Sequence, residues 1–365
     1  MGRAMRARGL VLLFLLIAGL AFAAARPRGV SPPRASSGDP IARESLRRAA
    51  AWLWSKQDRD GGWHSETYGF MRSGQSLTPH ALLALLDVPE DVHRRPRGGV
   101  ERALEFMRRH TDERGCLGMA DPDVADYPTY ATAGALRCFA RAAPGRLVDH
   151  STFLGSVQLT EQNGFSPDHP GYGAFSFGAR LPRPEDTGHV DLPHTRRALQ
   201  ALSPLLLDRA AERFLRRLQN EDGGFYLSTV VLAANKAGDR RSYATPTCDG
   251  ILALLACGAP PDDRRVLAAR AWLERHPRLD DVPGIREDHP EPWDRALFHY
   301  HLAVRAEVYE ALDWPGPWRA EIGRILAARQ RRDGSFRNDD SPLQKEDDPL
   351  VATALAITAL ARAAR

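Results

Sequence analysis

AWLWSKQDRDGGW (residues 51–63) and FLRRLQNEDGGF (residues 214–225) are two copies of one phrase: an aromatic–apolar pair, three intervening residues, a glutamine, a short gap, a glycine and an aromatic. The first copy reads Trp52-Leu53, Gln57, Gly61 and Trp63; the other reads Phe214-Leu215, Gln219, Gly223 and Phe225. Four more copies lie in phase with them. Phe106-Met107 leads to Thr111 at the glutamine place, then Gly115 and Leu117. Phe153-Leu154 leads to Gln158, and across a longer gap to Gly164-Phe165. Trp272-Leu273 leads to Pro277 and a stretched loop to Gly284-Ile285. Ile325-Leu326 leads to Gln330, Gly334 and Phe336. The leading residues, at 52, 106, 153, 214, 272 and 325, are spaced as a fixed helix pair joined by loops of variable length would be.

Local chemistry explains the phrase. The lead pair closes an amphipathic helix, and Asp-Gly-Gly or Asp-Gly-Ser then stops it, because glycine reaches the left-handed conformation cheaply. Helix ends are predicted near Gln57, His110, Gln158, Gln219, His276 and Gln330. The aromatic after the glycine reads as a plug between repeats. A second helical segment follows each phrase: from Thr78, Tyr127, Leu192, Ala244, Trp293 and Asp348. These segments are rich in Ala and Leu, and several open on proline in the first turn. Arg-rich first helices suit an outer ring and apolar second helices an inner one. The fold expected over residues 41–365 is all-α: six helix pairs closed into an (α/α)6 toroid, with a cavity where the inner helices begin.

The start of the chain has a different character. Arg3, Arg6 and Arg8 precede an apolar run, Leu10 to Ala25, that ends in Ala-Ala-Ala. Residues 1–25 therefore read as a signal peptide, with an N-terminal membrane anchor as the alternative. Residues 26–40, rich in Pro, Ser and Gly, read as a linker. The expected destination is secreted or periplasmic, with membrane association only through this N-terminal segment. The formal net charge is +4, and loss of the signal removes three arginines and no acid, which leaves +1. No basic stripe interleaved with aromatics is present, so nucleic acid is not an expected partner. Cys116, Cys138, Cys248 and Cys257 show no metal-ribbon or ladder spacing and read as buried thiols.

The six phrases resemble the QW repeat of squalene–hopene cyclases and the related repeat of protein prenyltransferase β-subunits. That resemblance spans about residues 41–365 and implies an α/α toroid with an apolar cavity for isoprenoid chains. It does not carry over the catalytic groups. Class II terpene cyclases protonate substrate with a DxDD motif at an inner-helix start. At Asp191-Leu192-Pro193-His194-Thr195, proline and histidine stand where the motif has acids. Asp126 and Asp191, with His194, are the remaining catalytic candidates; Asp121, Asp123, Glu185 and Asp186 lie in loops. The same stretch resembles the His-Thr element of the prenyltransferase zinc site, but no Asp-x-Cys partner precedes it.

Polar residues recur at the inner-helix starts. His80, Tyr130, His194, Cys248, Asp249 and His301 are the candidate ligand-binding set; His299 and His301, two apart on a helix, cannot both face a cavity. Tyr68, Tyr172 and Tyr226 are candidates for its rim. The expected partner is an isoprenoid or lipid-like small molecule, its acidic head drawn to free helix N–H groups. No cofactor is called for, and a metal on His80, His194 and Cys248 is the competing arrangement. A binding role without the usual cyclase acid comes first, an isoprenoid-processing enzyme second. A glycan-active (α/α)6 enzyme, which would need paired carboxylates across a cleft, is a further alternative.

Overall fold

The computed structural model describes residues 39–120, 124–145, 149–203 and 208–365. The expected signal peptide, and all of the linker except Asp39 and Pro40, lie outside the described residues. Those two belong to the first helix: Asp39 is its N-cap, accepting from the amides of Ile41 and Ala42, and Pro40 is its first residue.

Thirteen helices and no strand make up the described chain, with only isolated β-bridges in the loops. The outer helices are α1 (Pro40–Ser55), α3 (Gly99–His110), α5 (Ser151–Ser156), α7 (Arg209–Leu218), α9 (Arg264–Arg275) and α12 (Trp318–Arg329). The inner ones are α2 (Leu77–Leu86), α4 (Pro128–Ala142), α6 (Leu192–Leu202), α8 (Ala244–Ala256), α11 (Phe298–Ala311) and α13 (Pro349–Ala363), with a short α10 (Trp293–Ala296) leading into α11. Each inner helix packs on the next, α2 through α4, α6, α8, α11 and α13 and back to α2, so the ring is closed. An outer helix such as α7 buries one stripe, Ala211, Phe214, Leu215 and Leu218. In α8 every residue from Ala244 to Leu254 is buried. That difference is what a two-layer ring requires of its components.

The repeated phrase is the fastening between repeats. Gln57 Nε2 donates to the carbonyls of Gly61 (3.0 Å) and Gly99 (2.8 Å), the latter the first residue of α3. Gln219 does the same with Gly223 and Arg265, and Gln330 with Gly334 and Ser45. Each glutamine thus ties its own turn to the start of the next outer helix. The glycine has positive φ, +97° at Gly61 and +90° at Gly223, and lies against the backbone of that helix. A Cβ there would meet Arg102 O at 2.3 Å and Ala268 O at 2.4 Å. The aromatic's amide donates to an inner-helix threonine: Trp63 to Thr78, Phe225 to Thr247 and Phe336 to Thr353.

The third repeat differs from its sequence reading. Gln158 donates to Gly173 O, Gly173 abuts Ala210 O of α7, and the amide of Phe175 donates to Thr195. The fastening is therefore Gly173 and Phe175. Gly164 has nothing within 4 Å of a would-be Cβ, and Gly164-Phe165 resembles the phrase only in spacing.

From the middle of the inner helices toward their C-terminal ends the axis carries buried charge. Arg196 of α6 is fully buried between Asp249 of α8 (2.7 Å) and Glu307 of α11 (2.7 Å). Arg362 of α13 continues the network to Glu307, Glu310 and Asp87, and Arg141 closes it on Asp87 at 2.8 Å. All four cysteines are buried free thiols. Among the described residues no helix is long and apolar enough to cross a membrane.

Candidate functional site

The N-terminal ends of the inner helices enclose a cavity of about 550 Å³. Helix starts contribute Ser76, Leu77 and His80 from α2, Tyr127 and Tyr130 from α4, Pro193 and His194 from α6, Thr245 from α8, Tyr300 from α11, and Val351 and Leu355 from α13. Loops add Met71, Phe177, His189, Leu227, Lys236, Lys345 and Glu346. The wall is mainly aliphatic and aromatic, with a few polar groups, as small-molecule sites generally are.

The polar chemistry centres on α6. Asp191 is its N-cap and accepts from the amide of His194 at 2.8 Å. The same Oδ1 also accepts from His194 Nδ1 at 2.8 Å, while Oδ2 accepts from His189 Nε2 at 2.7 Å. Burial alone would raise the Asp191 pKa, but the charge of His194 and the hydrogen bonds from both histidines hold it well below the usual carboxylate range. The bond to Asp191 raises the pKa of His189 in turn. The carboxylate holds Nδ1, and the buried Nε2 has no hydrogen-bond partner; in the neutral ring that atom carries the lone pair. Tyr127, Tyr130, Phe177 and His189 surround its ring.

His189, Asp191 and His194 also bring their ligand atoms within 4.8 Å of one another, close enough to share a metal ion. The hydrogen bonds already present satisfy Asp191 without one. A metal ligated by Asp191 and by the two nitrogens that now contact it would have to replace those hydrogen bonds.

Two of the three lysines in the chain, Lys236 and Lys345, stand on the cavity wall, and among the described residues neither has a carboxylate within 4.0 Å. Lys236 lies over the Trp293 ring at 4.0 Å, and burial lowers its pKa. Lys345 reaches over Phe70 and Tyr127. Glu346 is engaged elsewhere, accepting from the amides of His299 and Tyr300 and from His299 Nδ1 at the start of α11.

Of the residues singled out in the sequence, His80, Tyr130, His194 and Asp191 meet on the cavity wall. Burial and the neighbouring Arg197 push the His80 pKa down to about 4. Cys248, Asp249 and His301 are fully buried but are not on the wall. Cys248 faces Arg305, and burial pushes its thiol up to about 12; it stands off the wall that carries His80 and His194, so the three are not one ligand cluster among the described residues. Asp249 lies behind Tyr300, accepting from its hydroxyl and pairing with Arg196. His301 turns toward the loop of the fifth phrase, with Nε2 3.3 Å from Arg278 O, so Tyr300 faces the cavity instead. Asp126 lies behind α2, accepting from Ser73 Oγ (2.6 Å), Ser76 Oγ (2.5 Å) and Ser76 N (3.1 Å). Tyr68 and Tyr172 bind nearby acids and Tyr226 a carbonyl, none of them at the cavity. Asp121 and Asp123 lie outside the described residues.

A closed double ring of helices with one apolar site at its inner N-termini defines a terpenoid cyclase-like α/α toroid. The solved structures it is similar to include the type II terpene cyclase MstE from Scytonema in complex with geranylgeranyl dihydroxybenzoate. That match has 16% identity and a TM-score of 0.56, and covers 89% of this chain and 97% of that one. A protein from Actinoplanes matches at 16% identity and a TM-score of 0.55, over 89% of this chain and all of its own. A family 76 glycoside hydrolase from a bovine Bacteroides thetaiotaomicron strain matches at 13% and 0.56, over 88% and 78%. No family profile matches the sequence, and no curated protein matches it.

Proposed function

We propose that the chain is an exported prenyltransferase/squalene cyclase-like repeat protein that holds an apolar, isoprenoid- or lipid-like molecule in this cavity, without the acid-initiated chemistry of class II cyclases. The observation that carries the reading is the cavity itself: about 550 Å³ of mainly apolar wall on which both carboxylates, Asp191 and Glu346, are already committed to donors. Neither is a carboxylic acid free to protonate an alkene. Lys236, Lys345 and His189 supply positive charge at the inner-helix N-termini, which favours an acidic head group there. The MstE complex supports the general compatibility of such a ring with a geranylgeranyl chain.

The test is mass spectrometry of full-length protein purified from its native host, together with incubation with squalene and shorter polyprenyl substrates. The expected result is a co-purifying amphipathic lipid, a mature N-terminus near Arg26 and no cyclised product. A cyclic terpene that disappears in Asp126→Asn or Asp191→Asn would overturn the reading. So would intact Met1 on soluble cytoplasmic protein, for the export part.

A second reading, an isoprenoid-processing enzyme, rests on His194 Nε2, an unpartnered base oriented by a carboxylate in an apolar cavity. The same incubation separates the two: turnover lost in His194→Gln with binding retained would favour the enzyme. A glycan-active enzyme has less support, since Glu185, Asp186, Glu287 and Asp288 are exposed loop residues away from the cavity.

A further inference from the structure

Beneath the cavity floor two arginines have no direct ion-pair partner. Arg137 of α4 and Arg197 of α6 are absent from the buried ion-pair network beside them: among the described residues no carboxylate lies within 4.0 Å of either guanidinium. Arg137 has one side-chain partner, Gln200 Oε1 at 3.4 Å. Arg197 donates from Nε to the Tyr130 hydroxyl at 3.2 Å and lies over that ring at 5.3 Å. Burial and its neighbour Arg197 push the Arg137 pKa down to about 10, still far above neutrality, so both groups stay charged. Both side chains are only part-exposed, and the carboxylates that act on them, Glu307 on both and Asp87 on Arg137, do so from beyond ion-pair distance. Two neighbouring guanidinium charges there favour an opposite charge placed directly between them.

Space for one exists. A separate void of about 20 Å³ is lined by Arg137 and Arg197 together with Ser76, His80, Tyr130 and Leu83. It has room for a single particle about the size of a water molecule, and too little for a phosphate or a lipid head group. Its polar lining offers two guanidinium groups, two hydroxyls and an imidazole, and no carboxylate. We infer that this void is a binding site for one small monovalent anion of halide size, held between Arg137 and Arg197. Ser76, His80 and Tyr130 line both this void and the main cavity. The anion therefore braces the wall on which the larger ligand rests, whatever that ligand is.

The experiment uses sodium bromide on the full chain. Crystals grown in bromide and measured at the bromine absorption edge should show an anomalous peak in the void, within hydrogen-bonding distance of both guanidinium groups. At constant ionic strength, replacing sodium gluconate with bromide should raise Tm by roughly 2–4 °C. Arg137→Gln and Arg197→Gln, each checked for a native circular dichroism spectrum, should lose that anion-specific rise. Ordered water without an anomalous peak would overturn the proposal. So would a bromide effect of equal size in both variants and the parent. If one variant fails to fold, the anomalous map of the parent still decides the matter.

Discussion

Asp191 serves helix and site with one carboxylate. It caps α6 and sets the orientation of His194, so the residue that starts the helix also prepares the base in the cavity. The cap alone is worth about 1 kcal/mol. The pH dependence has two arms. The Asp191 pKa is depressed on folding, so its contribution is present above about pH 4 and is lost as pH falls toward the folded value. That of His189 is raised, so its contribution is complete below about pH 6.5 and is lost as pH rises through the folded value. Asp191→Asn should therefore lower the urea midpoint most between these limits and flatten both arms. A variant profile that runs parallel to the parent's from pH 3 to 8 would show that the pair does not titrate this way.

At the scale of the element, the third fastening offers a comparison within one loop. Gly173 has φ +89° and a would-be Cβ 1.9 Å from Ala210 O, whereas Gly164 has φ +85° with open space around it. Gly173→Ala should cost at least about 2 kcal/mol, from strain plus displacement of α7. Gly164→Ala should cost about 1 kcal/mol, from the left-handed backbone alone. Equal shifts in denaturant midpoint would return the phrase to Gly164. The same loop shows where the sequence stops being legible. Helices α1, α3, α5, α7, α9 and α12 end within two residues of the predicted positions, because lead pair, glutamine and glycine sit at short fixed distances. Between Gln158 and Gly173 the chain makes a detour, and a chance Gly-Phe stood at the shorter spacing. The site divides similarly. His80, Tyr130 and His194 were readable because they share the first turns of inner helices, but each residue along a helix turns about 100°. Tyr300 therefore faces the cavity while His301 faces away. Phe177, His189, Lys236 and Lys345 arrive on loops, which have no period to read. Only the rarity of lysine in so arginine-rich a chain, and the spacing His189-x-Asp191-x-x-His194, could have marked them.

For the molecule as a whole, the decisive contact is the one that closes the circle. Gln330 donates to Ser45 O, Gly334 packs on Arg48 O, and Arg43 Nη1 reaches Ala364 O at 3.4 Å. The sixth repeat thus treats α1 as any repeat treats its successor. A circular permutant that joins Arg365 to Asp39 through a short Gly-Ser linker, opened at the exposed Pro144-Gly145, should fold with a native helical spectrum. A molten or aggregated product would mean that the natural chain order is itself required. That closure also imposes a timetable. A ribosome makes α1 first and α13 last, yet these two pack together. Throughout elongation α1 carries an apolar face, Leu46, Ala49, Ala50 and Leu53, whose permanent cover has not been synthesised. Five repeats can stack as they emerge, but the seam can seal only when the final helix is free of the tunnel. The nascent molecule is an open arc with two sticky ends, and two such arcs side by side could close on each other as readily as on themselves. Chaperone occupancy of the α1 segment, lasting until release, is the natural remedy for a ring that is written as a line.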